Sequence, residues 1–152
     1  MINSFFPSAN VTQLATVVHS NSDVGAACSS GSFRTRGMVI APCSIKTMSE
    51  IATGVTANLI SRAADVALKE RRRVVLMLRE TPLHLGHIRS MAAVTEAGAI
   101  VYPPVPAFYA QPKSLDEMID HTLGRVLDLF EIDIGTVRRW SGEVRRPKTT
   151  AD

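Results

Sequence analysis

Residues 37–47 read Gly-Met-Val-Ile-Ala-Pro-Cys-Ser-Ile-Lys-Thr, a short apolar run followed by a polar turn and a helical pattern. The run from Met38 to Ala41 predicts a buried strand that Pro42 ends. Ser44 is placed to cap the next helix, whose first N–H groups have no intrahelical partner and whose positive dipole end favours an anion. An ordinary strand followed by an ordinary capped helix has the same pattern. The stretch therefore predicts a strand–helix junction and leaves an anion site open.

Strands and helices alternate outward from this junction. A second helix is predicted from about Asn58 to Glu70, and the continuous apolar run Val74–Leu78 predicts a strand covered on both faces. A helix over 84–97, a short strand over 99–102 and a capping box that opens a last helix at Ser114 follow. This alternation predicts an α/β fold with a parallel sheet and right-handed crossovers. Three strands make a small sheet, so further strands are missing or a partner chain completes it.

Composition narrows the classes of function. The chain has 152 residues, of which 45% are hydrophobic and 20% charged, and this composition is typical of one globular domain. The sequence contains no run of eighteen apolar residues, the length needed to span a membrane. The net charge is +3, and basic clusters such as Arg71–Arg73 are expected on solvated faces, without the interleaved aromatic residues of a nucleic-acid surface. Cys28 and Cys43 form no Cys-x-x-Cys motif, and the first residues do not resemble a secretory signal. We therefore expect a cytoplasmic protein without nucleic-acid or membrane partners, with both cysteines as small core residues.

Charged side chains occur in two arrangements that are candidates for a site. Arg62, Asp65 and Lys69 project from one side of the second helix, either as a solvated face or as a surface over which a site closes. Arg79 and Glu80 directly follow the clearest strand, at the end where ligands of open α/β sheets bind; a surface ion pair is the alternative. Phosphate on a small ligand fits these charges better than nucleic acid does.

Other features add no competing chemistry. His84 and His87 are three residues apart, but no third ligand stands at zinc spacing, so a structural role is favoured over a metal site. No Gly-x-Ser-x-Gly, Walker or Gly-x-Gly-x-x-Gly motif is present. The prolines of residues 103–106 stiffen a loop suited to holding Phe108 and Tyr109 in place.

Five motifs, in their order and spacing, closely resemble those of the UbiX family of flavin prenyltransferases, long described as aromatic-acid decarboxylases. The resemblance covers about residues 8 to 142, and the motifs are Ser29–Phe33, Ala41–Thr47, Arg62–Arg71, Arg79–His84 and Pro103–Tyr109. It implies a flavodoxin/Rossmann-like three-layer α/β domain with a parallel sheet over residues 11–142. Residues 1–10 are expected to be an irregular lead-in, and residues 143–152 a disordered basic tail.

The resemblance implies transfer of a dimethylallyl group from dimethylallyl phosphate to reduced FMN, without a metal. The product would be the prenylated FMN that UbiD-type decarboxylases use, and members of the family are homododecamers that hold FMN at subunit contacts. Matching the motifs predicts three groups of site residues: for FMN Ser44, Ile45, Lys46, Thr47 and Arg79; for dimethylallyl phosphate Tyr109 and Arg125; for catalysis Arg62, Lys69, Glu80 as proton acceptor and Trp140 near the prenyl group.

The chain departs from the family at its start. Family members begin with a strand and a Gly-x-Ser-Gly-Ala-Ser-Gly type loop that holds the flavin phosphate, then a second strand, and this sequence shows neither. We therefore expect an N-terminally truncated domain, with weakened FMN binding and an exposed sheet edge. Two alternatives stay open: a non-catalytic subunit that assembles with intact chains, and a flavin-dependent decarboxylase, against which the motifs Arg79–Pro82 and Pro103–Tyr109 argue.

Overall fold

The computed structural model describes residues 11–137 and residue 139, which form two compact units, the first ending at Pro103 and the second beginning at Pro104. The first unit contains a short 3₁₀ helix (Ala27–Ser29), the strands β1 (Gly37–Cys43), β2 (Arg73–Leu78) and β3 (Ile100–Val101), and the helices α1 (Ile45–Thr53), α2 (Leu59–Lys69) and α3 (Leu85–Glu96). The second contains a 3₁₀ helix (Phe108–Ala110) and α4 (Leu115–Asp128). The predicted lead-in at 1–10, the predicted tail at 143–152 and Trp140 lie outside the described residues.

The sheet confirms the predicted α/β class with a parallel, flavodoxin-like arrangement. Its strand order is β1-β2-β3, and both pairings are parallel. Every residue of β2 from Val74 to Leu78 is buried. Because successive side chains of a strand point to opposite faces, this central strand is covered on both sides, as its continuous apolar sequence predicts. Its side chains pack in the core with residues of the strands and of all three helices of the unit, among them Ile40, Met48, Ile51, Ala64 and Val94.

β1 differs from the predicted strand in its end and in its burial. It continues through Pro42 to Cys43, and its pairing with β2 shifts register between Ile40 and Cys43. Only Ile40 and Cys43 of this strand are buried, and Val39 is 39% exposed. Both differences have one cause. In the described sheet β1 is an edge strand, where a proline without an N–H group is tolerated and one side chain in two faces away from the core.

The helix boundaries follow from capping. Ser44 caps α1 by accepting a hydrogen bond from the N–H of Thr47 at 3.2 Å, and Gly54 ends the helix in the left-handed conformation, with φ of 71°. Asn58 and Ser61 form a capping box at the start of α2. Ile60 of this helix is 36% exposed, whereas the adjacent Leu59 is only 6% exposed and belongs to the buried face.

The start of α4 follows half of the predicted capping box. Ser114 accepts a hydrogen bond from the N–H of Glu117 at 3.1 Å, as predicted. The carboxylate of Glu117, however, accepts from the N–H of Lys113 at 2.7 Å instead of that of Ser114. The acidic side chain therefore fixes the residue before the cap.

None of the helices in residues 11–137 has the length and apolar character needed to cross a bilayer.

Candidate functional site

The carboxyl ends of β1 and β2 lie side by side and bring together two predicted groups of site residues. Cys43 pairs with Leu78 in the sheet, and the N–H of Arg79 donates to the carbonyl of Cys43 at 3.4 Å. The beginning of α1 and the residue that follows β2 are therefore neighbours. We call this group the sheet-edge cluster; its members are Ser44, Ile45, Lys46, Thr47 and Arg79.

The start of α1 has the donors that an anion requires. The first N–H groups of a helix have no intrahelical acceptor, and Ser44 accepts that of Thr47, which leaves those of Ile45 and Lys46 for a ligand or solvent. The hydroxyls of Ser44 and Thr47 are 3.1 Å apart. The side chain of Lys46 is 81% exposed, and its ammonium lies 3.8 Å from the carboxylate of Glu50. Together these groups form a positive surface at the end of β1.

Arg79 and Glu80 are both exposed and do not form the surface ion pair that was the alternative to a functional role. The carboxylate of Glu80 accepts a hydrogen bond from the N–H of Thr81 at 3.1 Å. Within residues 11–137, the guanidinium of Arg79 has no hydrogen bond or ion pair. Its donors are therefore available to an anion at the sheet edge.

The cations of α2 each have a carboxylate partner of their own. Arg62 lies 3.1 Å from Asp65, with both side chains about 40% exposed. Lys69 is paired with Glu70, and this contact, followed by the nearby charge of Arg72, holds the pKa of Glu70 below its ordinary value. In both pairs a carboxylate partly neutralises the positive charge of the α2 side chain, as expected for a solvated charged face.

Lys69 does not lie with the sheet-edge cluster within the unit. It ends α2, four residues before Arg73 begins β2, whereas Arg79 follows the opposite end of that strand. A strand of six residues spans roughly 20 Å at about 3.3 Å per residue. The structure therefore leaves the predicted FMN residues and Lys69 at opposite ends of β2.

The second unit brings the two residues predicted to bind dimethylallyl phosphate into one region. The exposed ring of Tyr109 packs edge-on against His121, with ring centroids 6.2 Å apart. His121 is buried and precedes Arg125 by four residues on α4, so the two share a face of the helix. The sequence left His121 without a role, because its contact with Tyr109 spans twelve residues. A cavity of about 470 Å³ adjoins it, lined in part by Lys113, Glu117, Asp120, His121 and Thr136.

Arg125 belongs to a network that we call the helix-end cluster, made of Arg125, Asp128, Asp133 and Arg139. Asp128 accepts from Arg125 at 3.0 Å and from Arg139 at 2.9 Å, and Arg139 also donates to Asp133 at 3.0 Å. A hydrogen bond from the N–H of Gly135, and then the contact with Arg139, hold the pKa of Asp133 below its ordinary value. The two carboxylates raise the pKa of Arg139. Unlike Arg79, Arg125 is already paired.

Cys43, His84 and His87 have structural roles. Burial raises the pKa of the Cys43 thiol to about 11, so the side chain remains a neutral core thiol at neutral pH. His84 caps α3, since its Nδ1 accepts from the N–H of Gly86 at 3.0 Å, and its ring stacks on that of His87. Among the described residues, no group of three or more metal-ligating side chains was found.

Known proteins match this chain in sequence and in structure. A family model described as Flavoprotein matches residues 11–129. The flavin prenyltransferase UbiX of Thauera aromatica is 59% identical over 133 residues, which are 88% of this chain and 69% of that protein.

Two solved structures share the fold. AnUbiX in complex with FMN and dimethylallyl pyrophosphate has a TM-score of 0.89 at 50% identity, covering 94% of this chain and 76% of that one. A dodecameric FMN-dependent UbiX-like decarboxylase from Escherichia coli O157:H7 has a TM-score of 0.86 at 43% identity, covering 91% and 75%.

Proposed function

The chain belongs to the UbiX family of flavin prenyltransferases, and from that membership we propose that it transfers a dimethylallyl group from dimethylallyl phosphate to reduced FMN. The product is prenylated FMN, which UbiD-type decarboxylases use. The observation that carries the proposal is the sheet-edge cluster, where the capped start of α1 lies beside the backbone of Arg79, whose guanidinium has no hydrogen bond or ion pair within residues 11–137.

The sheet-edge cluster suits FMN through the chemistry of its donors. The backbone N–H groups of Ile45 and Lys46 and the guanidinium of Arg79 are donors without an acceptor among residues 11–137. The hydroxyls of Ser44 and Thr47 share one hydrogen bond with each other, which leaves one of their two O–H groups for a ligand. The flavin substrate offers phosphate and ring carbonyl oxygens to such donors. Support also comes from AnUbiX, whose solved complex holds FMN.

Departure of the phosphate is the step that the cations assist. When the allylic C–O bond breaks, the phosphate leaves with the electron pair and gains negative charge. Fixed donors stabilise this charge more than they stabilise the bound substrate. We assign that role to the hydroxyl of Tyr109 and the guanidinium of Arg125. Arg62 and Lys69 add positive charge. No metal is then needed to stabilise the leaving group.

Glu80 is the proposed proton acceptor. Reduced FMN supplies the nucleophilic atoms N5 and C6, and formation of the second bond releases the ring proton at C6. The carboxylate of Glu80 is exposed and accepts only the N–H of Thr81 among the described residues, so it retains lone pairs for that proton. Trp140, outside the described residues, is proposed to face the allyl group and stabilise its developing positive charge.

We propose that the site is completed by a second copy of the chain. Lys69 ends its helix at the amino end of β2, far from Arg79, so one unit does not collect the predicted cations in one place. A homododecamer with FMN at subunit contacts would do so, and one solved UbiX-like neighbour is described as dodecameric. Light scattering of the purified chain tests this assembly: a monomer at all concentrations contradicts it. A cytoplasmic location is part of the same proposal, consistent with two free cysteines.

The experiment that tests the function is an anaerobic incubation with dimethylallyl phosphate and chemically reduced FMN, followed by mass spectrometry of the extracted flavin. The expected result is prenylated flavin with the wild-type chain and much less with Glu80→Gln, which retains shape but accepts no proton. If the wild-type chain forms none, while an intact UbiX preparation does under the same conditions, the enzymatic proposal fails. Release of carbon dioxide from an aromatic acid, without a partner enzyme, would favour the decarboxylase alternative.

A further inference from the structure

Arg72 joins two segments that are distant in sequence. Its guanidinium donates to the carbonyl of Gly31 and to that of Phe33, each at 2.6 Å, across 41 and 39 residues. The side chain is half-buried, and both bonds have a charged donor, which makes them stronger than neutral hydrogen bonds. Arg72 therefore holds the turn around Gly31 against the end of α2, although the basic run that contains it predicts a solvated face.

The same turn touches the pair formed by Lys69 and Glu70. A Cβ atom built on Gly31 would collide with the carboxylate of Glu70 and would lie 2.9 Å from the ammonium of Lys69. Gly31 is not among the glycines with positive φ, so its backbone does not itself require glycine. Both atoms belong to the far ends of flexible side chains. A methyl group at this position would therefore displace the ion pair rather than the fold.

Glu70 connects Lys69 to Arg72 electrostatically. Lys69 and Glu70 are adjacent in sequence and would not face each other within a helix, but α2 ends at Lys69 and Glu70 is its C-cap. The pKa of Glu70 is held low mainly by Lys69 and also by the charge of Arg72. The carboxylate is thus in contact with Lys69 and also influenced by the charge of Arg72, and the turn at Gly31 limits where it and Lys69 can lie.

We propose that Arg72 is a positioning residue: by holding the turn at Gly31, it fixes the direction in which Lys69 presents its ammonium to the leaving phosphate. The inference rests on the proposed function, since it concerns how Lys69 is oriented for that reaction. In the proposed role, Arg72 does not contact the substrate itself. Its effect passes through the turn at Gly31 and through Glu70.

Two variants and a matched control test this inference. Arg72→Lys keeps the charge but lacks the planar fork whose two nitrogens each donate to one carbonyl, and Gly31→Ala displaces the pair formed by Lys69 and Glu70. Gly25→Ala is the control, because a Cβ there meets only Asp23 at an ordinary 3.6 Å. We expect kcat/KM for dimethylallyl phosphate to fall roughly ten- to a hundredfold in both variants, as for a misplaced catalytic group, with the KM for FMN unchanged and the control like wild type.

A double-mutant cycle separates positioning from general destabilisation. If Arg72 acts through Lys69, Arg72→Lys has no further effect on kcat/KM in a Lys69→Ala background. A full additional loss there would overturn the proposal. So would wild-type kinetics for Arg72→Lys or Gly31→Ala.

A readout without catalysis keeps the two proposals distinguishable. NMR titration of the Glu70 carboxyl is expected to show a low pKa in wild type and in Gly25→Ala, and a pKa nearer the ordinary value in Gly31→Ala. An unchanged titration in Gly31→Ala would overturn the positioning inference even if the chain is active. A shifted titration in a chain that makes no prenylated flavin would uphold this contact and refute the proposed function alone.

Discussion

The sheet-edge cluster and the helix-end cluster both present an arginine predicted to bind a substrate oxygen, but their electrostatic states differ. Arg79 has no ion pair within residues 11–137. Arg125 donates a hydrogen bond from Nη1 to the carboxylate of Asp128, which also accepts a hydrogen bond from Arg139. A free guanidinium binds an anion without losing an existing partner. A paired one must offer its remaining donors or exchange its carboxylate. The donors of Arg79 are therefore available to the proposed ligand, whereas Arg125 also contributes to the structure around the end of α4.

Removing Arg79 should therefore have the largest effect on activity. We expect Arg79→Ala to lower the rate of flavin prenylation by about 10²–10³-fold, as for loss of one fixed donor in a site that stabilises developing charge. Because the side chain is exposed and makes no hydrogen bond or ion pair with described residues, stability should change by no more than about 0.5 kcal/mol. Anaerobic rate measurements and thermal unfolding of the same preparation check both parts.

Arg125→Ala provides the contrast. Arg125 is 51% exposed and paired, so its removal should reduce the rate less than removal of Arg79 and should also cost about 0.5 kcal/mol of stability, typical of an exposed ion pair. Equal rate losses in the two variants would break the distinction between a free and a paired arginine.

The difference between the clusters also shows how far the sequence alone could go. Features set by neighbouring residues were predicted correctly: the Ser44 cap and the buried central strand both depend on local pattern. The end of β1 was placed too early at Pro42. Proline stops a central strand, but this one lies at the edge of the described sheet, which only the tertiary arrangement reveals.

Contacts between distant residues were missed for a physical reason. The hydrogen bonds of Arg72 to Gly31 and Phe33 cross some forty residues, and nothing in a basic run distinguishes a half-buried arginine that bonds two distant carbonyls from one on a solvated face. The proposed site residues could be named from the sequence because they belong to motifs that match the family, but their ion pairs could not. That Lys69 pairs with Glu70, while Arg79 has no partner within residues 11–137, depends on how helices and strands end in space.

A third prediction separates the cap of α1 from its proposed role in binding. Ser44→Ala should cost about 1 kcal/mol of stability, because the N–H of Thr47 loses its acceptor. Ser44→Asp should retain wild-type stability, since aspartate is an equally good cap, yet it places a negative charge where the flavin phosphate or carbonyl is proposed to bind. Urea unfolding and flavin fluorescence titration measure the two effects. Tight FMN binding by Ser44→Asp would show that the sheet-edge cluster is only a capped helix.

The smallest effect concerns the acid stability of the helix-end cluster. The folded pKa of Asp133 is lower than its ordinary value of 3.8, chiefly because Gly135 donates a hydrogen bond and secondly because Arg139 does. A lowered folded pKa stabilises the protein fully above pH 3.8, and this contribution is lost as the pH falls through the folded value. Asp133→Asn should therefore show a shallower decline of Tm in acid than wild type. Arg139→Gln should raise the pKa of Asp133 only in part, since the bond from Gly135 remains, and an NMR titration of the carboxyl measures this directly. Complete return of the pKa to its ordinary value in Arg139→Gln would mean that the arginine, rather than the turn at Gly135, is what keeps this carboxylate charged.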